Sequence, residues 1–120
     1  MELIFQPRQI VYLEDKNSRL YAEVIQVVES RQVCWVRPMM LVARIDFVAF
    51  EQPVSVTDLR SSADLLLPST LFQSALDTDV LPLLVHLTSE PRLDRDPVAL
   101  TQLNQFIRQL WQAHQQKEQE

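Results

Sequence analysis

The chain of 120 residues contains no glycine, although glycine makes up about 7% of an average protein. Phosphate-binding loops, dinucleotide-binding turns and EF-hand loops use glycine where the backbone takes a positive φ or approaches a ligand closely. The usual forms of these sites are therefore excluded. Tight turns must use other residues, and Asp15, Asn17 and Ser30 are the candidates for positive φ, because short polar side chains tolerate that conformation best.

Cysteine and long apolar runs are also scarce. Cys34 is the only cysteine, so no intrachain disulfide can form. Polar residues or proline interrupt every apolar stretch well before the roughly 20 residues that span a bilayer. The first residues, MELIFQPRQIVYLED, lack the basic and apolar regions of a signal peptide. We therefore expect a soluble, cytoplasmic protein that does not insert into membranes.

Basic residues are outnumbered: 11 Lys and Arg stand against 16 Asp and Glu, which gives a net charge of −5. Most of this excess lies in residues 61–120, because the first 60 residues are nearly balanced. A mildly acidic chain has no general attraction to phosphate backbones. Nucleic-acid binding would need a local basic patch, and only the first half of the chain has the arginines to form one.

Short apolar segments separated by polar turns predict β-strands in the first half. A possible capping box of Ser61 and Asp64 leaves a short helix as the alternative to the last strand. This pattern predicts a small antiparallel β-barrel or meander, and it resembles SH3-like barrels. The predicted strands are residues 10–13, 19–29, 33–36 (ended or edged by Pro38), 40–50, 54–60 and 64–67.

The second half has helical periodicity. After an irregular helical turn over residues 68–73, a helix is predicted from Asp77 or Thr78 to about Leu87, with Pro82 tolerated only in its first turn. Asp96-Pro97 predicts the start of a last helix, because an acidic N-cap precedes proline at the first helical position. The predicted apolar stripe of that helix is Leu100, Leu103, Ile107, Leu110, Trp111 and His114.

Together these patterns predict an α+β fold in which two C-terminal helices pack on the β-portion. We expect a single domain over residues 1–120, with the β-portion in 1–67 and the helical portion in 68–120.

No residue pattern indicates catalysis, a cofactor or a metal. Asp77 and Asp79 have the spacing of a cation-binding pair, but we favour the cap and first turn of a helix as their explanation. Cys34 lies in a predicted strand, where a buried thiol is inert. His86 and His114 do not share a zinc or thiol-enzyme spacing with it. We therefore expect a non-enzyme.

Four segments of the sequence carry a resemblance to other proteins: SRLYAEVIQVVESRQVCWVRPMML, DLRSSADLLLP, LDTDVLPLL and FIRQLWQAH. They resemble a small family of uncharacterised proteins from cyanobacteria, and the resemblance covers most of the chain. It brings no known activity. It implies a cyanobacterial cytosol and a link to photosynthetic or housekeeping assembly.

Arginine and aromatic residues in the strands suggest a binding surface. Trp, Tyr and Arg are enriched at protein-interface hot spots, and methionine adds adaptable apolar area. We predict a protein-binding or assembly module whose partner is another protein or a second copy of the chain. The alternative is a small-barrel RNA-binding protein that stacks bases on the aromatic residues. The candidate partner-binding residues are Tyr21, Trp35, Arg37, Met39, Met40, Phe106 and Trp111.

Overall fold

A computed structural model describes residues 5–43, 55–85, 87 and 96–118, with side chains of the last helix described through residue 115. The α+β prediction is confirmed: the described residues form a six-stranded antiparallel sheet and two α-helices. The strands are β1 (Ile10–Asp15), β2 (Ser18–Val28), β3 (Val33–Ala43), β4 (Ser55–Asp58), β5 (Leu65–Pro68) and β6 (Gln73–Ser74), and the helices are α1 (Asp77–Leu84) and α2 (Pro97–Glu118).

The sheet formed by the described residues is open, which corrects the SH3-like barrel alternative of the prediction and leaves the antiparallel meander. Its order is β4-β3-β2-β1-β6. β5 pairs with the first half of β3, on the same side as β4, which pairs with the second half. Within the described residues, β6 pairs only with β1, over two residues, and no pairing joins it to β4 or β5. β6 also lies beyond the predicted end of the β-portion at residue 67.

The region around β5 follows the predicted strand rather than the alternative helix. Leu65–Pro68 pairs with the first half of β3, and a short 3-10 turn follows at Ser69–Leu71. The capping-box helix is therefore wrong, whereas the irregular helical turn is confirmed. The second half of the predicted strand 40–50 and the start of the strand 54–60 lie outside the described residues.

Of the two predicted roles of Pro38, ending the third strand is wrong, because β3 continues to Ala43, whereas an edge position fits, because neither β4 nor β5 pairs with Pro38. The register between β2 and β3 shifts by one residue here, which leaves Met39 as the extra residue of a β-bulge. Proline is tolerated at bulges and at sheet edges. The outer neighbour of β3 also changes at this point, from β5 before the bulge to β4 after it. The two predicted strands on either side of Pro38 are thus one strand.

The bulge exchanges the faces of the β3 side chains. Before it, Cys34 and Val36 belong to the core beneath α2. After it, Met40 and Val42 belong to the second core, beneath α1. Strict alternation would have kept all four on one face. The sheet is consequently covered by α2 on one face and by α1 on part of the other.

α2 is rotated relative to the predicted stripe. Asp96 begins it as predicted: its Oδ1 accepts hydrogen bonds from the backbone N–H groups of Val98 at 3.0 Å and Ala99 at 3.4 Å. Leu100 is exposed, and Ile107 and Trp111 are only half-buried at the border of the core. The residues of α2 that are buried against the sheet are Ala99, Leu103, Phe106 and Leu110.

A cap at Asp77 would start α1 at Thr78, but the helix starts at Asp77 itself. Leu76 occupies the N-cap position and makes no side-chain capping bond. Pro82 therefore lies in the second turn, which corrects the prediction that it must occupy the first. Because proline has no N–H, the Thr78 carbonyl has no i+4 donor in this helix.

Among the described residues, positive φ angles occur at Arg8, Lys16 and Gln32, and not at the predicted residues. Asp15 pairs with Ser18, so Lys16 is the first residue of a two-residue turn. Gln32 follows the 3-10 turn at Glu29–Arg31 and has φ 54° and ψ 42°. This is the left-handed position at which helices most often place glycine. Position in the turn, rather than side-chain type, therefore decides which residue takes it.

Gln32→Gly is expected to stabilise the fold slightly. The left-handed conformation costs a non-glycine residue roughly 1–2 kcal/mol, whereas glycine loses about 0.5–1 kcal/mol through the entropy of the unfolded chain. We expect urea denaturation to show a higher free energy of unfolding for Gln32→Gly and a lower one for Gln32→Val, whose branched side chain suits this conformation least. A less stable glycine variant would contradict the described turn.

Candidate interaction surface

Trp35 lies on the sheet face that α2 does not cover, between β2 and β5. Its neighbours Cys34 and Val36 point into the core beneath α2, so the indole points the other way. It pairs with Gln26 on β2 and with Leu66 on β5. The exposed fractions are 37% for Trp35 and 65% for Leu66. Two large apolar side chains thus stand side by side on an open part of the sheet.

A carboxylate fixes this tryptophan. The Trp35 indole Nε1–H donates a 3.0 Å hydrogen bond to Oδ2 of Asp64, which precedes β5. Nε of Arg37 lies 3.6 Å from Oδ1 of the same carboxylate. Asp64 therefore connects two residues of β3 and restricts the indole to one orientation. We call Trp35, Arg37, Asp64 and Leu66 the Trp35 surface.

Asp64→Ala is expected to release the Trp35 indole without unfolding the protein. Exposed ion pairs contribute about 0–1 kcal/mol, so the free energy of unfolding should change little. The indole N–H should exchange with solvent faster, and its NMR resonance should shift. The second indole, at Trp111 on the other side of the sheet, is the internal control. An unchanged Trp35 resonance would contradict the described contact.

Three other predicted partner-binding residues lie under or beside α1. Tyr21 and Met40 are buried in the core that also contains Val80 and Leu83. Met39 is half-buried against the same core. The prediction that Tyr21 and Met40 present a surface is corrected, because the bulge turns Met40 inward and α1 covers both.

The two predicted residues of α2 lie on the opposite side of the sheet from Trp35. Phe106 is only 4% exposed and belongs to the core, so its prediction as a surface contact is corrected. Trp111 is half-buried and packs edge-to-face on His114, with 6.0 Å between the ring centroids. Of the seven predicted residues, the structure brings only Trp35 and Arg37 together in an open surface.

Two of the first-half arginines that could form a basic patch, Arg19 and Arg37, are engaged with acids. Arg19 pairs with Glu14 across β1 and β2 and lies over the Tyr12 ring, 4.4 Å from its centroid. Burial alone lowers the pKa of Arg19, but hydrogen bonds to Tyr21 and Glu14 outweigh it, and the pKa is raised. Arg37 faces Asp64. Arg44 lies outside the described residues.

The residues weighed for catalysis do not form a site. Cys34 is buried, and this burial raises the pKa of its thiol, which disfavours the reactive thiolate. Asp77 and Asp79 occupy the first turn of α1, where negative charge is favourable. His86 lies outside the described residues. In the described part of the chain, no three His, Cys, Asp or Glu residues are grouped to hold a metal.

A shallow cleft of about 280 Å³ lies between α2 and the ends of β3 and β4. Thr57 Oγ1–H donates a 2.7 Å hydrogen bond to Oε1 of Gln102 at this site. The described lining contains hydroxyl, amide and apolar side chains without an ionisable group, and therefore no general acid or base. The lining residues are Ser18, Leu41, Ala43, Ser55, Thr57, Gln102, Gln105, Phe106 and Gln109.

Comparisons with known proteins add no relative: no family model, curated protein or solved structure matches the chain. Neither described helix combines the length and the apolar composition that crossing a bilayer requires.

Proposed function

We propose that the protein is a non-catalytic binding or assembly module that recognises another protein through the Trp35 surface. One observation carries this proposal: an exposed tryptophan, held by Asp64, stands beside the exposed Leu66. Tryptophan and arginine are the side chains most enriched at interface hot spots. The cyanobacterial resemblance adds the proposal that the partner is a protein of the cyanobacterial cytoplasm.

The Trp35 surface has the physical properties of a preformed contact. Fully burying a large apolar side chain contributes about 1.5–3 kcal/mol, and Trp35 and Leu66 retain enough exposed area to supply part of this on binding. The hydrogen bond to Asp64 already restricts the indole, which lowers the entropy lost when a partner docks. Arg37, whose side chain is 57% exposed, adds a polar border.

Protein recognition is favoured over RNA recognition by the local charge. Asp64 places a carboxylate directly against Arg37 and the indole edge. This negative charge would repel a phosphate backbone, whereas a protein surface can place a hydrogen-bond donor against it. RNA binding is therefore an outcome of the test rather than a second proposal.

Affinity capture with matched variants tests the proposal. Leu66→Glu changes the Trp35 surface, and Val98→Glu changes an equally exposed aliphatic residue on α2, with exposed fractions of 65% and 66%. We expect wild type and Val98→Glu to retain one protein from the native lysate, with and without nuclease, and Leu66→Glu to lose it. Calorimetry with the purified partner should reproduce this order.

Two outcomes would contradict the proposal. If Leu66→Glu retains the same protein as wild type, the Trp35 surface is not the binding site. If capture disappears with nuclease, and labelled RNA binds at about 150 mM salt, where simple phosphate attraction is weak, then the RNA-binding alternative replaces it. Loss of that RNA binding in Arg37→Glu would assign it to the same surface.

A further inference from the structure

The outward face of α1 carries apolar side chains where a solvent-facing helix normally carries polar ones. Val80 and Leu83 pack into the core. On the opposite side, Leu81 is 62% exposed and Val85, at the C-cap, is 79% exposed, with Pro82 exposed between them. These three residues lie within about 100° of one another around the helix axis. A helix that is apolar on two opposite faces normally packs on both.

The segment of sequence that contains α1 is negatively charged. No Lys or Arg occurs anywhere in residues 61–91. Asp77 and Asp79 lie at the start of α1, and neither forms an ion pair with another residue of the described chain. The Thr78 carbonyl, which has no i+4 donor because Pro82 lacks an N–H, adds an acceptor. Apolar side chains bordered by acids and an acceptor complement apolar side chains bordered by donors.

We infer that Leu81, Pro82 and Val85, the α1 stripe, pack against a basic amphipathic helix of another protein. Leucine-type residues of that helix would contact the α1 stripe, and its Lys or Arg residues would approach Asp77 and Asp79. This goes beyond the proposed function, because it uses different residues and specifies the chemistry of the partner.

A second copy of the chain fits the α1 stripe less well. Each copy carries a net charge of −5, and the facing segments would both lack basic residues. A basic helix, by contrast, gains both apolar burial and charge attraction.

A set of three synthetic peptides tests this inference. The first, of about 18 residues or five turns, places Leu on one helical face and Lys on the other. The second replaces Lys with Glu, and the third scrambles the first so that composition is kept and amphipathicity is lost. We expect micromolar binding of the basic peptide by calorimetry at about 150 mM salt, and binding at least tenfold weaker for the other two.

Variants of the protein locate the binding. Leu81→Gln combined with Val85→Gln should weaken binding of the basic peptide at least tenfold, whereas Val98→Gln should leave that binding unchanged. Asp77→Asn with Asp79→Asn should weaken it several-fold and reduce its salt dependence. The Leu66→Glu protein should bind the peptide normally. A failure of the α1-stripe inference and a failure of the proposed function are therefore distinguishable.

Four results would overturn the inference. The first is equal binding of the acidic or scrambled peptide, and the second is binding that the Leu81/Val85 variant does not change. The third is a melting temperature of that variant as low as that of a core variant, since the α1 stripe would then pack against its own chain. The fourth is a wild-type dimer in sedimentation that the variant disperses, since the occupant would then be a second copy.

Discussion

Val36→Asp is expected to unfold most of the protein. Val36 is fully buried in the core beneath α2 and pairs with Val24 on β2 and Leu65 on β5. An uncompensated charge in such a position costs about 3–5 kcal/mol, a large share of the roughly 5–15 kcal/mol that stabilises a domain. Thermal melts followed by circular dichroism measure the loss.

Gln26→Asp is the matched control for this variant. Gln26 is exposed on β2 and neighbours Trp35 rather than a core residue. Surface substitutions of this kind change stability by about 0.5 kcal/mol or less. If Val36→Asp melts within a degree or two of wild type and resembles this control, the central position of β3 is wrong.

Phe106→Arg is expected to unfold the protein about as severely as Leu103→Arg. Both residues face the sheet from α2, with exposed fractions of 4% and 3%. Removing a buried phenylalanine side chain alone costs about 3–5 kcal/mol, and the guanidinium adds the cost of a buried charge. Circular dichroism and size-exclusion chromatography should show loss of helix and an expanded chain for both variants.

Asn104→Arg is the control, because Asn104 is exposed on the same helix. It should leave secondary structure and elution volume unchanged. A Phe106→Arg variant that stays folded while losing a partner would contradict the burial of Phe106 and restore the prediction that it contacts another chain.

The sequence identifies the elements of this fold better than it does their faces. Short apolar segments between polar turns predict β1, β2 and β5, and the pair Asp96-Pro97 predicts the start of α2. The bulge at Met39 has no comparable signal, because an extra residue in one strand is defined only by its partner. It converts two predicted strands into one and exchanges the faces of the residues that follow.

The sequence also does not predict which side of α2 packs against the sheet. The predicted stripe and the buried stripe share Leu103 and Leu110, but their centres differ by about 60° around the axis. The sequence offers apolar residues for both choices, with Leu100 in one stripe and Phe106 in the other. The choice is made by the sheet surface against which the helix packs, and a single sequence does not show that surface.

The Trp35 surface was half predictable. Trp35 and Arg37 are recognisable as interface-type residues in a strand. Asp64 and Leu66 are not, because their contact with them depends on the antiparallel pairing of β5 with β3, and the Trp35–Asp64 hydrogen bond spans 29 residues of sequence. Leu66 lies between two leucines that face the α2 core, and its exposure follows only once that pairing is known.

Site-specific photo-crosslinking tests the central proposal most directly. A benzophenone amino acid at position 66 is placed on the Trp35 surface, and the same group at position 98 is placed on an equally exposed part of α2. In native lysate, we expect position 66 to give one dominant protein adduct that excess unlabelled wild type competes away, and position 98 to give none. Equal adducts at both positions, or adducts that unlabelled protein does not reduce, would contradict a specific protein-binding role for the Trp35 surface.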